Sequence, residues 1–351
     1  MKNILVVIIF LLSFYFSSIL GQNPYRYGFQ GSAGISRLIA HRTDMQVLVK
    51  KNSFQGELAF NIYSNGKKKH HKYYNYPVYG IAFNYITSGN KEKIGNIYCS
   101  YSFVSIPFTH HKNTPRFKIG LGLGWVEKTF DIVHNYQNTA IGSHLNGNIV
   151  LRIEKDFIIN KKRYLYTGIG IDHISNAAFK TPNLGLNFIS FRLGYNICIL
   201  KNELDTISKN NIQQKEKDFQ VYFSSAIKEN STPFEDKFMI HELSLQLGLR
   251  QGPKSSLLAG ADILHNPSVE IFTDRKIQIA GFVGHLLHLD KLKIGLIMGA
   301  YIYNKRVKEE SLYQKIVIEY YLNNRVNGRI TLKSHKAKAD FFSIGIGYKI
   351  F

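Results

Sequence analysis

Apolar and polar residues alternate one by one along most of this chain, and a helical period is hard to find. From Met239 to Arg250 the odd positions are Met239, His241, Leu243, Leu245, Leu247 and Leu249, while the even ones include Glu242, Ser244, Gln246 and Arg250. Ile316, Ile318, Tyr320 and Leu322 alternate in the same way with Lys315, Val317, Glu319 and Tyr321. Successive side chains of a strand point to opposite faces, so each segment has one greasy side and one more polar side. Many runs reach roughly ten residues, the length a tilted membrane strand requires and about twice that usual in a soluble sandwich. The pattern predicts an all-β chain, a transmembrane antiparallel β-barrel of roughly 12 to 16 strands, with 14 as the central expectation. Residues 22–351 read as that one barrel. No domain boundary stands out, and the polar stretch from Lys201 to Lys217 reads as a long loop.

Both ends of the chain agree with a membrane destination. Met1, Lys2 and Asn3 give a short cationic start, Ile4 to Leu20 is almost wholly apolar or hydroxylic, and Gly21 offers a small residue before Gln22. This is the layout of a signal peptide, expected over residues 1–21 and removed on export. At the other end Phe342, Ile344, Ile346, Tyr348 and Ile350 share one face, and the chain closes on Phe351. That strand resembles the terminal signal by which the barrel assembly machinery recognises its clients. The expected location is the bacterial outer membrane.

Composition sharpens the picture in three places. Tyrosine (22) and phenylalanine (24) are abundant and tryptophan is single, so aromatic girdles would be built from the first two. Lys and Arg number 45 against 24 Asp and Glu, a formal charge of +21. Nucleic acid is the reflex partner for such a balance, but export excludes it, and tracts such as Lys67–Lys69 and Lys161–Arg163 fall between strands. A basic rim facing anionic lipid head groups fits better. Cys99 and Cys198 lie far apart in strand-like segments and make no disulfide framework.

The chemistry concentrates between Tyr164 and Asn196. Leu165, Thr167, Ile169 and Ile171 form a mainly apolar face that His173 and Ser175 continue, just before the loop 176–186. On the returning strand Asn187 heads the greasy column Ile189, Phe191, Leu193, Tyr195, while Ser190, Arg192 and Asn196 point the other way. Parity therefore puts His173, Ser175 and Asn187 on the lipid-facing wall at a rim, where polar groups are tolerated. A serine hydroxyl is a weak nucleophile unless an adjacent base takes its proton, and residues two apart on a strand share a face. Asn187 is placed to orient the imidazole if the two strands pair. Asn176, Asn183 and nearby backbone amides are the candidate donors to a developing oxyanion.

His173-Ile174-Ser175-Asn176-Ala177, followed by Pro182-Asn183-Leu184-Gly185-Leu186-Asn187, resembles the signature of the lipid A deacylase (PagL-like, acyloxyacyl hydrolase) family, over about residues 140–200. The resemblance implies an outer-membrane barrel that hydrolyses an ester-linked 3-hydroxyacyl chain of lipid A. It implies His173 as base, Ser175 as nucleophile, and Asn176 and Asn183 as loop asparagines of the oxyanion hole. The family glutamate that orients the histidine falls at Asn187, which keeps a hydrogen-bonding group but loses the charge. The segment Leu332 to His335 through Ala339 to Phe341 resembles larger relatives of the same group.

Elsewhere the signals are weak. His70-His71 and His110-His111 sit among lysines without the three or four converging ligands a zinc site needs, and no dense Asp/Asn loop signals calcium. No metal and no cofactor is expected. The leading reading is a serine esterase acting on lipid A, lipopolysaccharide or phospholipid. Its rivals are a non-catalytic barrel descended from deacylases, either a pore or a structural protein, and a lipopolysaccharide-binding barrel that works through its basic loops.

Overall fold

The computed structural model describes residues 25–111, 114–201, 216–230, 236–269, 275–303, 311–336 and 338–351. The expected signal segment 1–21, and residues 202–215 of the polar stretch after Lys201, lie outside them. Sixteen antiparallel strands account for most of what is described. The first eight are β1 (Tyr25–Leu38), β2 (Ser53–Tyr63), β3 (Val78–Thr87), β4 (Asn96–Pro107), β5 (Arg116–Val126), β6 (Leu145–Ile158), β7 (Arg163–Ser175) and β8 (Leu186–Lys201). The next are β9 (Lys217–Glu229), β10 (Lys237–Arg250), β11 (Ser255–His265), β12 (Ile277–Leu289), β13 (Leu292–Tyr303), β14 (Leu312–Tyr321), β15 (Val326–His335) and β16 (Lys338–Lys349).

The expectation of an all-β antiparallel barrel holds, but the strands divide into two closed sheets of eight where a single barrel was expected. In the first, β1 pairs with β2 and also with β8, so that Ala33 faces Gly56 on one side and Leu193 on the other. In the second, β9 pairs with β10 and with β16, with Ser224 between Glu242 and Gly345. The physical reason is closure. Alternation sets the face of every residue and turns set neighbouring pairs, but only the long-range match of β1 to β8 decides where a sheet shuts on itself. The stretch between Lys201 and Lys217 therefore joins two separately closed sheets.

Each barrel is inverted relative to a soluble protein. Phe29, Leu58, Ile81, Leu123, Ile169 and Leu193 stand exposed on the outer wall of the first, and Phe223, Met239, Val283, Leu296, Ile344 and Ile346 on that of the second. A wall of this kind belongs in hydrocarbon. The inward positions are polar or charged and buried. Glu57 accepts from Arg152 at 3.0 Å and from Arg192 at 3.1 Å, and Asp172 lies 3.6 Å and 3.4 Å from the same two guanidinium groups. Below them Glu154 pairs with Lys118 at 2.9 Å and with Arg116 at 3.2 Å. The second lumen holds Lys315 between Glu242 (2.8 Å) and Asp262 (2.6 Å), Arg329 against Glu319 (2.6 Å), and Lys228 against Asp340 (2.5 Å). Eight strands leave an interior just wide enough for side chains to fill, and here they fill it with ion pairs. Cys99 and Cys198 are buried in the first barrel's strands and form no disulfide.

Candidate active site

The β7–β8 hairpin has the face assignment that alternation predicts. Leu165, Ile169 and Ile171 are exposed on β7 while Tyr166, Asp172 and Ile174 are buried, and on β8 Ile189, Phe191 and Leu193 are exposed while Ser190, Arg192 and Asn196 are buried. His173 and Ser175, half-buried, continue the outward column of β7 to its last residue. The register sets His173 directly opposite Asn187. Cross-strand neighbours of this kind bring their side chains together, and the His173 Nδ1 to Asn187 Oδ1 distance is 2.7 Å.

A carboxamide has an accepting end and a donating end, and both are used here. Asn187 Oδ1 accepts a hydrogen bond from the His173 Nδ1–H, while Asn187 Nδ2 donates to His41 Nδ1 at 3.0 Å. His41 arrives because the closing pair of strands, β1 and β8, runs on by one more bond: the Ile39 N–H donates to the Asn187 carbonyl at 2.8 Å, two residues before His41. With Nδ1 protonated, His173 keeps an unprotonated Nε2. A flipped amide would face Nδ1 with its NH2 group and force the opposite tautomer, so the His41 contact matters to the proton's position.

Residues 175–185, the last residue of β7 and the loop that follows it, belong to the second compact unit together with 129–146 and the chain from 209 onward. Within that unit the Asn176 side-chain NH2 donates to Ser143 Oγ at 2.7 Å and to the Lys180 carbonyl at 2.8 Å, so both its protons are engaged. Its backbone N–H donates to Asn183 Oδ1 at 3.0 Å. Asn183 keeps its own NH2 without a hydrogen-bond partner among the described residues. Ala177 and Ala178 both adopt left-handed backbone, φ 50° and 62°, a conformation that costs a non-glycine residue about 1–3 kcal/mol and persists only where the surroundings hold it. Their N–H groups likewise have no acceptor among the described residues. Thr181 donates its hydroxyl (3.0 Å) and its backbone N–H to Glu229, and Glu229 returns its N–H to the Ala178 carbonyl at 2.9 Å.

Of the residues singled out from sequence, the structure thus joins His173 to Asn187, and Asn176 to Asn183. Asn176 serves to brace the loop rather than to offer a free amide. His41, Ser143, Glu229 and the strained alanines are additions. His41 sits in a polar stretch without periodicity, and an Ala-Ala pair gives no hint of left-handed backbone.

Two family models match the chain. The model for lipid A 3-O-deacylase (PagL) matches residues 54–196, and that for the acyloxyacyl hydrolase C-terminal domain matches residues 217–351. The chain belongs to the PagL lipid A deacylase family. The two PagL-family matches fall on the two closed sheets, the second beginning at the first residue of β9. As a PagL-family member the protein is an outer-membrane ester hydrolase by kinship, with lipid A as the family's substrate. No curated protein matches it. Among solved structures, three mutant forms of the porin from Rhodopseudomonas blastica show 10% identity, covering 92% of this chain and 99% of theirs, with a TM-score of 0.21. That score is too low to bear on the PagL assignment or on function.

Proposed function

We propose that the protein is a serine esterase that removes an ester-linked acyl chain from lipid A at the outer-membrane surface, with Ser175 as nucleophile, His173 as base and Asn187 as the group that holds the imidazole. The observation that carries this reading is the His173–Asn187 bond on the outward face, two residues from a serine of the same face. An ester inside a membrane approaches from the outside of the barrel, where an outward-facing dyad meets it. Attack of Ser175 Oγ on the acyl carbon puts negative charge on the carbonyl oxygen. The free NH2 of Asn183 and the unengaged N–H groups of Ala177 and Ala178 are the donors for that charge, with Asn176 bracing the loop that carries them. The proton passes to His173 and on to the leaving sugar alkoxide, and water then releases the acyl group from Ser175. Mass spectrometry of lipid A from cells with and without the protein tests the reading. Loss of one 3-hydroxyacyl group is expected, and unchanged lipid A overturns it.

Asparagine where the family has glutamate finds its explanation in His41. By accepting from Nδ2, His41 keeps Oδ1 toward His173, so the amide enforces the tautomer a carboxylate would enforce. In a serine protease an asparagine at this point lowers turnover about 10⁴-fold through the wrong tautomer. His41→Ala should therefore lower deacylation by about tenfold or more, and adding Asn187→Glu should restore it, because a carboxylate has no wrong end. If His41→Ala is as active as the parent, or the double variant is no better than the single one, His41 has no orienting role.

The pore alternative makes a different forecast. With Arg152, Arg192, Lys118, Lys315, Arg329 and Lys333 all buried and ion-paired or stacked within the lumens, no water-filled path is expected. Purified protein in planar bilayers should show no discrete conductance steps, and steps that persist in His173→Ala would favour the pore.

A further inference from the structure

We infer that the outer wall of the second barrel carries a second acyl-ester hydrolase centre, with Ser225 as nucleophile, His241 as base and His265 as oxyanion donor. The three lie side by side on adjacent strands: the register opposes Ser225 to His241 on β9 and β10, and His241 to His265 on β10 and β11. The Ser225 Oγ to His241 Nδ1 distance is 2.9 Å. The His241 ring is held between two nearly parallel rings, Phe223 at 5.8 Å and 14° and His265 at 6.4 Å and 20°. This packing fixes the plane in which the base presents its nitrogen to the hydroxyl. His265 has no hydrogen-bond partner among the described residues and offers an imidazole N–H, a known type of oxyanion donor.

The surroundings argue against a merely polar rim. The row continues into Ile344 beyond Ser225 and into Ile277 beyond His265, and the next outward positions along the strands are Phe223 and Ile227, Met239 and Leu243, and Ile263. Three polar side chains thus form an island in an apolar wall, a placement that disfavours burial in lipid unless it is close to the surface. His265 is the last residue of β11, so the island reaches the barrel's edge, where water and lipid ester groups meet.

The substrate class follows from the setting: a long-chain acyl ester of a membrane lipid. Ser225 Oγ attacks the acyl carbon as its proton moves to His241 Nδ1. The bond to the leaving alkoxide breaks and the alkoxide takes that proton. Water, deprotonated by the same imidazole, then hydrolyses the acyl-serine and regenerates Ser225.

The test uses the full-length Ser175→Ala protein in detergent micelles, so its result is independent of the centre assigned to the first barrel. A long-chain alkyl fluorophosphonate, whose fluoride a nucleophilic serine displaces, should label Ser225 by peptide mass spectrometry. The same protein should hydrolyse p-nitrophenyl palmitate at least tenfold faster than Ser175→Ala/Ser225→Ala. His265→Ala should slow that hydrolysis by about 10²-fold. Heat-dependent gel migration of each variant shows that the barrels are folded. Absence of a Ser225 adduct, or equal rates in the single and double serine variants, overturns the proposal.

Discussion

Ser175→Ala should abolish removal of the 3-hydroxyacyl chain assigned to the first barrel's centre, leaving that chain on lipid A as in cells that lack the protein. The expected loss is at least about 10³-fold, since removing the nucleophile from a serine hydrolase leaves only the residual effect of the oxyanion donors and binding. The substitution removes one hydroxyl from a half-buried rim position, so the barrel's heat-dependent gel migration should not change. Retained conversion of lipid A by the variant would show that the nucleophile lies elsewhere, and Ser225 is then the first residue to remove. His173→Ala should match Ser175→Ala within a few fold, because nucleophile and base act as a unit.

Glu57→Leu should be the most damaging single change to the first barrel. Glu57 accepts from Arg152, Arg192 and the Tyr101 hydroxyl, the last at 2.6 Å, in a fully buried setting. Its removal leaves two buried guanidinium groups to share Asp172, and breaking a buried pair in this way costs about 3–5 kcal/mol. The temperature at which the folded band converts to the slow-migrating form should fall accordingly. Glu57→Gln, which can still accept from Tyr101, should fall less. Equal behaviour of the two variants would mean that the acceptor for Tyr101 adds nothing beyond the charge, and a parent-like Glu57→Gln would mean that the charge contributes nothing to the lumen.

Much of this was legible in the sequence because membrane strands impose a strict two-residue period. Reading faces from β7 and β8 alone set His173, Ser175 and Asn187 outward and Arg192 inward, and the structure has the same parity. The same holds for β10, where Leu243 and Leu247 face out while Glu242 and Gln246 face in. What escaped was whatever depends on contacts distant in sequence. The closure of β1 on β8 decides that the sheet ends after eight strands, and it also brings His41 to Asn187 across 146 positions. No local pattern encodes either. The loop's interior was equally hidden, since Asn176 reads as an oxyanion donor until Ser143 and the Lys180 carbonyl are seen to occupy its amide.

Interiors tied shut by Arg192, Glu57, Lys315 and Asp262 have a consequence for the host cell. On the proposed reading, an enzyme built this way can be present in many copies without opening a leak for small hydrophilic toxins, because the surface assigned to catalysis is the side turned to the lipid. Remodelling of the envelope and retention of the permeability barrier then do not compete.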